Sequence, residues 1–148
     1  EPTQLRHKIN LTRKAENIQG NCWWPAYSVT NNTGGIADEL KGEFQSTIAL
    51  SPAYPWISTT APAPVSNLKC DKGQLSWEAP AGKGTADDAV KFVVYRFDND
   101  QEIDLDNSEA ICAVTWSKTF NADKKGKYVV TALSRVNQES EPQMFTVK

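Results

Sequence analysis

Three segments decide the fold of this chain: Leu75-Ser-Trp77, Phe92-Val-Val-Tyr95-Arg96 and Tyr128-Val-Val-Thr-Ala132. Apolar and polar residues alternate in these segments, and β-branched and aromatic residues are frequent, as in half-buried strands. They follow the proline-rich stretch Ala61-Pro-Ala-Pro-Val65 and are spaced like strands of an antiparallel sandwich. The sequence therefore predicts a mainly β protein of a kind that usually serves as a spacer or binding module.

Further strands are predicted on both sides of these segments. Asp71-Lys-Gly73 is a turn between the first two strands, and Pro80 ends the second. Seven strands within about 85 residues fit an antiparallel sandwich of the immunoglobulin or fibronectin type III class. The predicted strands cover residues 65–70, 74–78, 91–97, 102–105, 110–116, 127–134 and 143–147.

The first 57 residues follow a different pattern. Ile36, Leu40 and Phe44 recur at i, i+4 spacing, which predicts an amphipathic helix. Residues 21–29 form a short apolar segment typical of a strand or extended loop, and residues 31–35 form a turn. One strand alone leaves its backbone groups unpaired, so we expect this helix-strand-helix arm to be the end of a larger β/α domain. An earlier helix, ending at Gly20, is predicted from Leu5, Ile9, Leu11, Ala15 and Ile18.

Three regions follow from these patterns. Residues 1–57 are the predicted remnant of a β/α barrel, 58–66 a semi-rigid linker rich in proline, and 67–148 the sandwich. The chain begins at Glu1 and its single methionine is Met144, so we expect an upstream part, with any signal peptide, to lie outside this sequence.

Composition excludes few classes of function. The chain is 39% hydrophobic and 23% charged, with a net charge of −2. This charge gives no electrostatic attraction for nucleic acid or an anionic membrane, and the sequence has no basic patch with interleaved aromatic residues. We therefore expect no nucleic-acid partner.

The three cysteines, Cys22, Cys70 and Cys112, lack the CxxC spacing of a zinc site. Two interpretations stay open: small buried apolar residues, or a disulfide between Cys70 and Cys112. Residues 98–109 carry the acidic spacing of a calcium loop, but Ile103 stands where that loop needs glycine, so an acidic hairpin is predicted there. No metal or cofactor is predicted.

Several motifs occur together in a fairly specific order. They are Pro64-Val-Ser-Asn-Leu68, the core tryptophan of Leu75-Ser-Trp77, Val94-Tyr95-Arg96, and the tyrosine-corner pattern of Tyr128-Val-Val-Thr-Ala132. With these motifs, residues 62–148 resemble a fibronectin type III domain.

A second resemblance covers the whole chain. It rests on Leu50-Ser-Pro-Ala-Tyr-Pro-Trp56 directly before this domain, on Val94-Tyr95-Arg96-Phe97, and on Val130-Thr-Ala-Leu-Ser-Arg135 followed by Glu139-Ser140. Together they resemble the C-terminal end of Bacteroidetes-type glycosyl-hydrolase-like lipoproteins, which join a TIM barrel to a fibronectin-type module. The resemblance implies an extracytoplasmic location, at the periplasm or cell surface, and places residues 21–29 at the last barrel strand and 36–44 at the last helix.

No catalytic residue is assigned. Glycoside hydrolysis needs two carboxylates that face each other about 5 to 10 Å apart. Glu16, Asp38, Glu39 and Glu43 fall on predicted helices, where solvated polar faces are the ordinary role of carboxylates. By the resemblance, the strands that carry the catalytic pair lie upstream of Glu1.

The aromatic residues Trp23, Trp24 and Tyr27 are the predicted substrate-binding residues of the longer protein. Side chains at the C-terminal end of a barrel strand open onto the active site, and aromatic faces suit sugar rings. Alternation prevents Trp23 and Trp24 from both pointing inward, so core or interface packing is the alternative. Trp116 and Phe120, near a predicted strand end, have the same two interpretations.

Two functions are carried forward. The first is a non-catalytic accessory fragment, a spacer or buttress, of an extracytoplasmic glycoside-hydrolase-like lipoprotein. The second is a carbohydrate- or protein-binding sandwich in its own right. The expected partners are the upstream barrel, a glycan, and a second copy of the chain that covers the apolar arm of residues 1–57.

Overall fold

A computed structural model describes residues 2–18 and 20–148. The chain divides into two compact units, Glu1–Ser46 and Thr47–Lys148. The division lies before the predicted domain limit at residue 57, because residues 47–58 are held by the second unit. The Tyr54 N–H donates to the Val136 carbonyl over 2.9 Å, and Asn137 Nδ2 donates to the Pro52 carbonyl over 3.1 Å.

The first unit is helical. Its elements are α1 (Pro2–Lys14), α2 (Tyr27–Thr30), a 3-10 turn (Thr33–Gly35), and α3 (Ile36–Glu39), which continues as a π-helical turn (Leu40–Phe44). The predicted amphipathic stripe is confirmed, since Leu40 and Phe44 are buried together with Leu5 and Ile9 of α1. Ile36 packs against this cluster.

Two predictions for the first unit are wrong. Helix α1 ends at Lys14, well before Gly20. Of the two alternatives predicted for residues 21–29, the strand does not form: residues 21–26 form a loop that leads into α2, and the described residues of this unit contain no strand. With no strand to pair with, the backbone bonds locally instead: the Thr30 N–H donates to the Ala26 carbonyl over 3.1 Å, which begins α2.

The second unit is a β structure of two antiparallel sheets, which confirms the mainly β fold. One sheet has the order β1-β2-β5 and the other the order β4-β3-β6-β7. The strands are β1 (Ser66–Asp71), β2 (Gln74–Glu78), β3 (Ala89–Phe97), β4 (Ile111–Thr115), β5 (Thr119–Asn121), β6 (Gly126–Ser134) and β7 (Gln143–Val147).

Local sequence explains most of these limits. Lys72 and Gly73 both have a positive φ, at 47° and 79°, so they form the tight turn that joins β1 to β2. The predicted strand at 102–105 is wrong, and so is the acidic hairpin. Residues 98–109 instead form a loop with two turns, closed by hydrogen bonds from Gln101 N–H to the Asp98 carbonyl and from Asn107 N–H to the Asp104 carbonyl.

The four-stranded sheet is buried on both faces. Toward the other sheet, Trp77 meets Phe92 edge to face at 5.6 Å between ring centroids. On its outer face, Tyr95 and its neighbours are covered by Leu50 and by Leu105 of the long loop. The expectation of a half-buried, alternating strand is therefore wrong for β3: Phe92-Val-Val-Tyr95 is an apolar run, because both faces of the sheet are covered.

Tyr128 forms the predicted tyrosine corner at the start of β6. Its hydroxyl donates to the Lys124 carbonyl over 2.9 Å, and its ring is buried in the core between the sheets. Burial raises the pKa of Tyr128. The hydrogen bond ties the connection from β5 to the sandwich core.

The cysteines do not pair. Cys22, Cys70 and Cys112 are all free thiols, so the Cys70–Cys112 disulfide is not formed. The two residues lie on strands of different sheets. Cys70 packs partly against the core, whereas Cys22 and Cys112 are exposed and are not core residues. Within residues 2–18 and 20–148, no helix combines the length and hydropathy needed to span a bilayer.

Candidate functional site

The predicted sugar-binding residues of the first unit separate into two environments. Trp23 is partly buried and packs against the Leu5, Ile9, Leu40 and Phe44 cluster. Trp24 is 91% exposed, and Tyr27 at the start of α2 is also exposed. The two tryptophans therefore point to opposite sides, and only Trp24 and Tyr27 are free to meet a ligand.

The carboxylates of the same unit are held by an arginine. Arg6 Nη2 donates to Glu39 over 2.6 Å, and Arg6 Nη1 donates to Glu43 over 2.8 Å. The hydrogen bond to Glu39 raises the pKa of Arg6. The guanidinium also lies over the Phe44 ring, at 5.6 Å from its centroid. Arg6 therefore binds both carboxylates at once.

The second unit carries an aromatic pair that the sequence did not single out as a site. The Tyr54 and Trp56 rings lie 5.3 Å apart at an angle of 40°. Trp56 is 77% exposed and Tyr54 37% exposed, and the neighbouring Ile57 is exposed as well. The pattern aromatic-Pro-aromatic could have indicated it, because Pro55 restricts the backbone between the two rings.

Trp116 and Phe120 resolve into the two predicted alternatives. Trp116 follows β4 and is 78% exposed. Phe120 of β5 turns inward and lies 6.2 Å from the Tyr128 ring. Phe120 is thus a core residue, and Trp116 is an isolated exposed tryptophan at the end of its strand.

A polar cluster lies on the outer face of the four-stranded sheet. Tyr95 Oη donates to Glu139 over 2.7 Å, and Thr131 Oγ1 donates to the same carboxylate oxygen. Burial makes the largest contribution to raising the pKa of Tyr95, and the hydrogen bond to Glu139 raises it further. Because both hydroxyls are buried, the carboxylate supplies the acceptor that each of them needs.

Asp88 organises the loop between β2 and β3. Its carboxylate accepts backbone N–H groups from Lys83 at 2.9 Å, Gly84 at 2.6 Å and Thr85 at 3.1 Å. These hydrogen bonds, led by that of Lys83, lower the pKa of Asp88. Among the described residues, no three His, Cys, Asp or Glu side chains are grouped as a metal site.

Exposed aromatic side chains offer faces on which a ligand can stack. Tyr54 and Trp56 form a pair of neighbouring rings, whereas Trp24 and Trp116 are single exposed rings. Of the carboxylates described above, Glu39 and Glu43 pair with Arg6, and Asp88 organises the loop between β2 and β3.

Comparison with known proteins finds a significant match to a curated relative. It is the glycosyl hydrolase YngK of Bacillus subtilis (strain 168), 27% identical over 167 aligned positions. The alignment covers all of this chain and 30% of that protein. The chain is similar to part of a glycosyl hydrolase. No protein-family model matches the chain, and no solved structure matches it significantly.

Proposed function

We propose that this chain is the non-catalytic C-terminal accessory part of a larger glycosyl-hydrolase-like protein, in which it buttresses or spaces the catalytic barrel. The observation that carries the proposal is the alignment of the entire chain with less than a third of a glycosyl hydrolase. Both units take part in that alignment, so the proposal covers the helical unit as well as the sheets.

Three features favour a fibronectin type III-like module for the second unit. Trp77 and Phe92 fill the space between the sheets, and Tyr128 forms a tyrosine corner. In a constant-type immunoglobulin domain the fourth strand extends the sheet of the first two strands. Here β4 pairs with β3 instead, which gives sheets of three and four strands.

The helical first unit is proposed as the last helical part of the barrel. Its exposed Trp24 and Tyr27 are then residues that the rest of the barrel would cover or that would line its sugar site. By the same proposal the longer protein is an extracytoplasmic lipoprotein. Metabolic labelling with a clickable fatty acid tests that part, and a full-length protein that takes up no label would contradict it.

The absence of activity is proposed from the side chains, since Arg6 bridges Glu39 and Glu43. The test is release of reducing ends by the purified chain from β-glucan, chitin and peptidoglycan, with an active hydrolase for each polymer as the positive control. We expect no release above buffer. Release that disappears in the Glu39→Gln variant would overturn the proposal.

A carbohydrate-binding sandwich is the second candidate. The exposed Tyr54/Trp56 pair favours it, because the pair belongs to the β unit and not to the helical unit. Co-sedimentation of the chain with the same polymers, without release of reducing ends, would support this function.

A further inference from the structure

The Tyr54/Trp56 pair stands on a turn that is closed on itself. The N–H groups of Ile57 and Ser58 both donate to the Tyr54 carbonyl, over 3.0 and 3.3 Å. Pro55 lies between the two rings and fixes one backbone angle. The two aromatic faces are therefore presented by a short, constrained segment.

The same turn is fastened to the loop that follows β6. The Tyr54 N–H donates to the Val136 carbonyl, and Gln138 Nε2 donates to the Ser58 carbonyl over 3.0 Å. Asn137 Nδ2 adds a third hydrogen bond, to the carbonyl of Pro52. Rings held in place before binding lose little conformational entropy when a ligand arrives, so the site is organised in advance.

The exposed area of the pair decides what kind of ligand fits. From the exposed fractions of Trp56 and Tyr54, the two side chains offer about 170 to 285 Å² of surface. A stable protein interface buries about 800 Å² on each partner. The pair is thus too small to hold a protein on its own, whereas one or two sugar rings would cover it.

The surroundings of the rings match a sugar as well. A pyranose whose hydroxyls are equatorial has a face of axial C–H groups and a rim of hydroxyls. The rings offer an apolar surface for the face, and the amide side chains of Asn137 and Gln138 lie beside the turn to serve the rim. Their amide nitrogens already donate to the Pro52 and Ser58 carbonyls, so the amide oxygens are the atoms that they offer to the hydroxyl groups of the rim.

We propose that Tyr54 and Trp56 form a carbohydrate-binding platform for β-linked pyranoses of the gluco configuration, in which every ring substituent is equatorial. The inference deepens the proposed function, on which the choice of a glycan as ligand rests. The platform would hold a polymer near the catalytic domain without taking part in hydrolysis.

Isothermal titration of the full chain with cellohexaose and with chitohexaose tests the platform and distinguishes glucose from N-acetylglucosamine as the sugar. We expect at least one hexasaccharide to bind. Trp56→Ala should weaken that binding at least about tenfold, equal to about 1.4 kcal/mol. Trp56→Phe, which keeps an aromatic face, should stay within about threefold of the unchanged chain.

Trp116→Ala is the matched control, because Trp116 is as exposed as Trp56 but lies outside the pair. We expect its affinity to stay within about twofold of the unchanged chain. Circular dichroism of each variant verifies the fold. Replacement of an exposed side chain should not disturb it.

Four results would overturn the platform. The first is that neither hexasaccharide binds at about 10 mM. The second is that Trp56→Ala binds as tightly as the unchanged chain. The third is that Trp116→Ala loses as much affinity as Trp56→Ala. A dimer in sedimentation that Trp56→Ala abolishes would assign the pair to a second copy of the chain and overturn it too. Cleavage of the hexasaccharide would instead refute the non-catalytic function and leave the platform standing.

Discussion

Removing the hydroxyl of Tyr128 should destabilise the sandwich by a measurable and limited amount. The variant Tyr128→Phe keeps the buried ring and its contact with Phe120, but the Lys124 carbonyl loses its 2.9 Å hydrogen bond. One such bond contributes about 0.5 to 1.5 kcal/mol, and an acceptor left without a partner can raise the loss to about 2 kcal/mol. At about 4 to 8 °C per kcal/mol for a domain of this size, the melting temperature should fall by about 2 to 16 °C.

Urea unfolding followed by circular dichroism measures the free energy of unfolding. The control is Tyr54→Phe, in the same unit, whose side chain is partly exposed. It should change the free energy by less than about 0.5 kcal/mol. A loss below about 0.3 kcal/mol in Tyr128→Phe, or an equal loss in Tyr54→Phe, would refute the role given to the tyrosine corner.

Substitutions at three further residues test other parts of the structure. Leu75→Ala should cost about 2 to 5 kcal/mol in urea unfolding, because Leu75 is fully buried between the sheets; a loss below about 1 kcal/mol would contradict that core. Glu139→Leu should cost about 1 to 3 kcal/mol, since the hydroxyls of Tyr95 and Thr131 lose their acceptor, and Glu139→Gln should cost less. Asp88→Asn should be less stable than the unchanged chain at neutral pH. The lowered pKa of Asp88 means that its contribution is present above its unfolded-state pKa and is lost as the pH falls through its folded-state pKa, so the two unfolding midpoints should converge in acid; a constant difference would contradict this.

The sandwich could be predicted from sequence where local patterns and long-range packing agree. The strand at 74–78 and the turn at Asp71-Lys-Gly73 are found as predicted, because both follow from local chemistry. The strands around Phe92 and Tyr128 are confirmed for a related reason. Their β-branched and aromatic residues favour a strand, whichever face of the sheet is covered.

The wrong strand predictions have a common physical cause. A segment forms a strand only if it pairs with residues that are distant in the sequence. Strand β5 is only three residues long, and its position is set by Leu75 opposite Phe120. Residues 102–105 have strand-like composition but no partner strand, so they form part of a loop. Residues 21–29 likewise have no partner strand, and their last residues form part of α2 (Tyr27–Thr30).

The candidate site was predictable only in part. The sequence analysis expected from strand alternation that Trp23 and Trp24 would not both point inward, but no strand forms there. Trp23 packs on the helical cluster and Trp24 is exposed within the loop before α2. It could not show that residues 47–58 pack on the sandwich, because that depends on hydrogen bonds to the loop after β6. From the sequence, Tyr54 and Trp56 were therefore assigned to the end of the arm and not to the surface of the β unit.

Folding of residues 47–148 by themselves is the most direct test of the account, which treats the second unit as a self-contained accessory module. Circular dichroism and urea unfolding of this segment give the measurement. We predict a β spectrum and a single cooperative transition, since both sheets and the two buried apolar clusters that pack on them lie within residues 47–148. A disordered spectrum, or unfolding without a cooperative transition, would contradict the account.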